Sequence, residues 1–201
     1  MTPRPLTADR LCDLTDAIRP AAHSSDTLVE GYRLETYRGR PGLRIPALAA
    51  AVSRDRIFDI FLQLLGPLGE VVDVVLETSH GNTADRHRDL RRTHIDRPVL
   101  ESYFCEFEDL LLNDGCTGVA VVASGRPMEV QFDEHKLLVC YGRNLKPFRR
   151  VLRDAGIRRK QDLRLISEAA HLHHTRPDDA RQFRDLALRL GVGGSVRKVT
   201  G

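Results

Sequence analysis

Apolar side chains recur at steps of three and four across residues 96–113. Leu100, Tyr103, Phe104, Phe107, Leu110 and Leu111 fall on one stripe, which predicts an amphipathic helix. Asp96 is placed to cap it, Pro98 suits its first turn, and Ile95 and Leu100 take the staple positions around the cap. Glu101, Glu106, Glu108 and Asp109 make the wet side, and Gly115 follows as a stop. The same period predicts a helix starting at Ser53, with Ile57, Phe58, Phe61, Leu62 and Leu65 inward and a stop at Gly66-Pro67. A third starts at Asn144, with Phe148, Val151, Leu152 and Ala155 inward, and stops at Gly156. A fourth starts at Thr175, where Thr175 and Asp178 are spaced as a capping box; Phe183, Leu186, Ala187 and Leu190 form its stripe. A weaker helix uses Leu11, Leu14 and Ile18 and ends by Pro20.

Between these segments the period drops to two, or the run becomes β-branched. Residues 71–79, 118–124, 128–133 and 163–167, and a segment from Lys136, read as strands. The three from Gly118 onward are joined by short turns and predict an antiparallel meander. Residues 28–39 and 42–52 flank Arg40-Pro41 and predict a hairpin, with Pro46 marking the second strand as an edge or bulged strand.

The order of elements then repeats. At an offset of ninety, Leu48, Phe58, Leu62 and Gly66 fall on Leu138, Phe148, Leu152 and Gly156. The expected fold is α+β: a largely antiparallel sheet covered by helices, built by internal duplication of an α-β-β-β-α-β unit plus a C-terminal helix. Residues 1–95 form the first half, including a connecting loop at 80–95. Residues 96–191 form the second, and 192–201 a loose tail.

Composition narrows the classes. The chain has 201 residues, 41% hydrophobic and 29% charged, which is enough to bury a core. No apolar run reaches the roughly 18 residues of a membrane span, and the N-terminal segment lacks the apolar stretch of a secretory signal. Cys12, Cys105, Cys116 and Cys140 are scattered, with no C-x-x-C pair, so a reduced, cytoplasmic protein is expected.

Net charge is only +3, but it is unevenly placed. Residues 141–164 hold nine Lys and Arg against Asp154 and Asp162. A helix start after a glycine turn favours an anion, and Arg143, Asn144 and Lys146 sit there. Residues 80–94 carry Arg86, Arg88, Arg91 and Arg92 with almost nothing apolar. Connections of that length are usually functional or disordered, so a mobile basic arm is expected, with a solvated linker as the plainer alternative.

Glu77 and His80 are answered by Glu168 and His171. On a helix Glu-x-x-His is a ligand pair, but on a strand its two side chains point to opposite faces. His171 and His173 are two apart, so on an extended segment they share a face. His80, His171 and His173 with Glu77 or Glu168 are therefore the candidate set for zinc or another transition metal. No G-x-S-x-G elbow, phosphate loop or zinc-finger spacing occurs.

The first functional reading is an interaction or regulatory module, with no cofactor, that binds an acidic protein or anionic ligand through the basic loop and helix face; a homodimer is compatible with it. The alternative is a metal-dependent, hydrolase-like enzyme using the His/Glu set. The third is a nucleic-acid backbone binder, disfavoured by the low charge, 5% aromatics and absence of Trp.

Overall fold

Val72, Val74, Leu76 and Thr78 are buried while their chain neighbours are not, so the β-branched run near residue 75 is a strand with one face to the core. The computed structural model describes residues 9–21, 27–38, 43–81 and 88–192. Its strands and helices are β1 (Ile18–Pro20), β2 (Gly31–Arg38), β3 (Arg44–Ala51), α1 (Ile57–Leu65), β4 (Val71–Thr78), β5 (Arg88–Asp96), α2 (Arg97–Glu106), α3 (Glu108–Asn113), β6 (Thr117–Ala123), β7 (Met128–Phe132), β8 (Leu138–Gly142), α4 (Lys146–Asp154), β9 (His171–His173) and α5 (Asp179–Arg189). Seven strands form one antiparallel sheet in the order β2-β3-β8-β7-β6-β4-β5, and β1 pairs with β9 in a second, small sheet. The fold is thus α+β with a largely antiparallel sheet, as the hydrophobic pattern predicts.

Alternation along β3 shows where the cores lie. Leu48 and Ala50 join the main core, with Phe61, Phe104, Phe132, Phe148, Leu152, Phe183 and Leu186. Ala49 and Ala51 face the other way, into a smaller core with Ala17, Ile18, Leu137, Leu163, Leu165 and Ile166. Successive strand residues face opposite sides of a sheet, so helices α1 to α5 cover one face and the β1 segment with residues 163–166 covers the other.

Several expected elements are corrected. The weak N-terminal helix is absent, because its backbone groups bond elsewhere: Cys12 N–H to Leu28 O and His174 N–H to Ala17 O. The helix over 96–113 is two, broken at Phe107, whose φ of −112° and ψ of 24° leave helical geometry. Asp96 precedes it without a side-chain capping bond. The helix expected from Ser53 begins at Ile57, and Ser53 instead accepts from Asp13 N–H. The Thr175 capping box does not form. The Asp179 carboxylate takes the Arg176 N–H at 2.7 Å, and α5 starts there.

Residues 163–167 are not a strand. Leu163 O accepts from Arg33, and Ile166–Glu168 make a 3-10 turn. Pro46 lies on an interior strand. Its missing N–H is tolerated because β8 pairs only with Ala47 to Ala50 of β3.

The largest correction concerns residues 80–95. Residues 88–96 are not a loop but the edge strand β5, paired along β4. Duplication is not confirmed. The β3–α1 and β8–α4 successions match, but α1 leads to two strands of the main sheet, whereas α4 is followed by none.

Candidate functional site

Strand β8 lies inside the sheet between β3 and β7, and the chain turns into polar structure at both of its ends. Beyond Gly142 the backbone enters α4, where the Asn144 side chain accepts the Lys146 N–H at 3.1 Å. Helix α4 buries Phe148 and Leu152 against the main core. The opposite side of the same helix therefore turns outward, carrying Lys146, Arg149 and Arg150, all exposed. Gly156 (φ 77°) ends the helix and turns the chain back, so that Arg158 and Arg159 face α4 across a groove of about 1120 Å³. Pro67, Pro147, Val151 and Ile157 supply its apolar floor.

The groove gathers several cations that lack a carboxylate partner. Several arginines elsewhere are paired: Arg33 with Glu168 at 2.6 Å, Arg97 with Glu101 at 2.6 Å, Arg176 with Asp109 at 2.6 Å and Arg189 with Glu106 at 3.0 Å; others, such as Arg19, Arg88 and Arg184, make no ion pair among the described residues but stand apart from one another in the chain. Among the described residues, Lys146, Arg149, Arg150 and Arg158 make no ion pair, although all four line the groove. Four cations lining one groove without paired carboxylates favour an anion over its apolar floor.

The predicted basic residues divide. Asn144 and Lys146 line the groove; Arg143 is exposed next to it but does not line it. Arg88, Arg91 and Arg92 sit on β5, four strands from β8, which is about 19 Å at ordinary strand spacing. Arg91 pairs with Asp73 at 3.1 Å and Arg92 donates to Leu190 O at 3.0 Å. Arg86 lies outside the described residues.

At the opposite end of β8, the turn from β7 carries His135 and Lys136, and β9 packs nearby. His171 and His173 point the same way from β9, as their spacing predicts, with ring nitrogens 3.2 Å apart. The third histidine is not His80 but His135: its ring centre is 5.0 Å from that of His171 and 4.9 Å from that of His173. A ring nitrogen from each of the three falls within 4.8 Å of the other two. Glu168 is not beside them as a ligand; it binds Arg33 and accepts the Leu165 N–H. Glu77 lines a cleft of about 140 Å³ with Glu134 and His135. Burial, and then the charges of Asp89, Glu129, Asp133 and Glu134, push its carboxyl up.

His80 belongs to a second group, with Asp114 and Cys116. Its Nε2 lies 2.7 Å from Asp114 Oδ2, and Asp114 also accepts from Thr117 Oγ1 and Cys116 N–H. This set resembles a nucleophile triad in composition only. Burial pushes the Cys116 thiol up, and the Nε2 of His80 is engaged with the acid, not aimed at sulfur. Between the two groups Lys136 is buried, donating to Thr117 O at 2.7 Å; burial pushes its ammonium down to about 8.

His135, Asp114, Cys116, Lys136 and Arg158 were not singled out from sequence as site residues. Arg158 lay within a basic run. The others sit at turns whose long-range neighbours no local spacing reveals. No protein-family model matches the chain, and no curated protein or solved structure matches it either. Among the described residues, no helix is long and apolar enough to cross a membrane.

Proposed function

We propose that the chain is an interaction module that holds an acidic protein segment in the groove along α4. The observation that carries this reading is a convergence: Lys146, Arg149, Arg150 and Arg158, none of them ion-paired among the described residues, line one groove over an apolar floor. The floor of Pro67, Pro147, Val151 and Ile157 suits a peptide whose apolar side chains alternate with Asp or Glu. Arginine forks bind carboxylates in a bidentate way, which supplies orientation as well as attraction. A nucleic-acid strand fits less well, because such sites stack bases on exposed aromatics and the groove's lining aromatic, Tyr32, is buried.

The test is binding of a labelled Glu-rich peptide containing leucine, followed by fluorescence anisotropy. Affinity is expected to fall as salt rises from about 50 to about 300 mM, because the screening length shrinks. The double variant Arg149→Glu/Arg150→Glu is expected to weaken binding at least about tenfold, since like charges oppose the ligand. Unchanged affinity in that variant, or tighter binding of single-stranded DNA than of the peptide, contradicts the reading.

A further inference from the structure

The three-histidine group lies at the end of the sheet away from the groove, and its geometry leaves little freedom over where the ring protons sit. His171 Nδ1 is 2.7 Å from Ala169 O, and His173 Nδ1 is 2.6 Å from Gly115 O. A carbonyl oxygen only accepts, so both Nδ1 atoms must carry hydrogen. In the neutral ring, Nε2 is then a bare lone pair on each. Yet the two Nε2 atoms face each other at 3.2 Å. Two lone pairs at that distance repel unless something positive lies between them. His135 repeats the arrangement: its Nδ1 faces Asp133 Oδ2 at 3.2 Å, which leaves its Nε2 for another partner.

This is the support that metal-bound imidazoles require. A ligating histidine gives its second nitrogen to a carbonyl or carboxylate, which fixes the tautomer and turns the lone pair toward the ion. The spacing of His171 and His173 agrees as well: zinc with Zn–N bonds of about 2.0–2.1 Å in a tetrahedron sets its ligand nitrogens about 3.3 Å apart, and the His135 nitrogen, within 4.8 Å of both, closes to that distance by a small side-chain rotation. Three neutral imidazoles suit zinc, copper or nickel, whereas magnesium and calcium select oxygen ligands. Among the described residues, no other Asp, Glu or Cys joins the group at ligand distance.

The competing group at His80 is closed by comparison. Asp114 already holds His80 Nε2, Thr117 Oγ1 and Cys116 N–H, so its acceptors have partners without an ion.

We propose that His135, His171 and His173 bind one zinc-class transition-metal ion, with the fourth coordination position open to water. The ion joins β9, which among the described residues pairs with β1 in the small sheet, to the β7–β8 turn of the main sheet. It therefore ties the two sheets together as well as presenting a Lewis-acidic water beside the cleft of Glu77 and Glu134. Gly115 sets the position of one leg. A Cβ there would lie 2.5 Å from Ala17 O and 2.9 Å from His174 O, so only glycine lets its carbonyl reach His173.

The experiment uses the tag-free full chain, titrated with zinc by calorimetry and with cobalt by visible absorption. One ion per chain is expected, with a cobalt spectrum that azide alters by replacing the water. The variant His171→Gln/His173→Gln is expected to lose more than about a hundredfold in affinity, beyond what loss of outer-shell support alone costs. The variant His80→Gln/Cys116→Ser is expected to bind as the parent does. Should a variant misfold, nitrogen-15 spectra of the parent's imidazoles give a second readout. Zinc is expected to shift the Nε2 signals of His135, His171 and His173 and to leave Nδ1–H intact. Absence of metal uptake, a shared proton between the two Nε2 atoms that zinc does not displace, or loss of binding in the His80/Cys116 variant alone would overturn the site. A cobalt spectrum indifferent to azide would overturn the open position.

Discussion

Asp114 is a carboxylate with no exposed surface, and its acceptors are all used. Burial alone pushes its carboxyl up. Hydrogen bonds from His80, Thr117 and Thr175 outweigh that and hold it at about 2. A carboxyl whose folded value lies below its ordinary 3.8 contributes stability at neutral pH. That contribution is fully present above about 3.8 and is lost as pH falls through about 2. Its size is on the order of 2 kcal/mol, from the usual 1.4 kcal/mol per pH unit. Asp114→Asn places an amide N–H₂ among donors that need acceptors, and we expect a loss of about 2–4 kcal/mol at pH 7. Urea unfolding of both proteins from pH 7 down to pH 2 checks this. The parent should lose part of its margin over the variant below pH 4. A constant difference across that range would place the anion's partners elsewhere.

Helix α1 is held by shape more than by charge. The Phe61 ring sits 5.5 Å from that of Phe104 and 5.2 Å from that of Phe132, so one side chain joins α1, α2 and β7. Phe61→Ala is expected to cost about 3–5 kcal/mol, read as a shift in the urea midpoint, because three elements close on that ring and cannot collapse into the gap. This packing was legible in the sequence: Phe61, Phe104 and Phe132 all lie on stripes or alternations that any local reading finds. The meander β6-β7-β8 and the β2-β3 hairpin were legible for the same reason, alternation bounded by turn residues. Strand β5 was not. Its residues are largely exposed, Leu90 and Ile95 are its apolar members, and the ladder that fixes it is written in β4. The same limit applies to the histidines. The spacing of His171 and His173 announces a shared face, but nothing local places His135 beside them, and Glu168 is drawn away by an arginine on β2. A charge partner far along the chain decided where that acid went.

On the scale of the molecule, the sheet separates two kinds of chemistry. The groove lies where β8 enters α4, and the histidines lie where β8 begins. The charge excess of residues 141–164, diffuse in the sequence, becomes a surface because α4 buries its apolar side and Gly156 folds Arg158 back toward it. The basic residues of β5 do not share that surface; Arg91 and Arg92 are tied to Asp73 and Leu190. On the proposed reading, partner binding therefore belongs to α4 and the segment after it, not to the region before α2. Amide chemical-shift mapping of the labelled chain with the Glu-rich peptide tests this most directly. The account predicts that shifts concentrate at Lys146, Arg149, Arg150 and Gly156 to Arg159. Shifts confined to β5, or spread evenly over the surface, would contradict it.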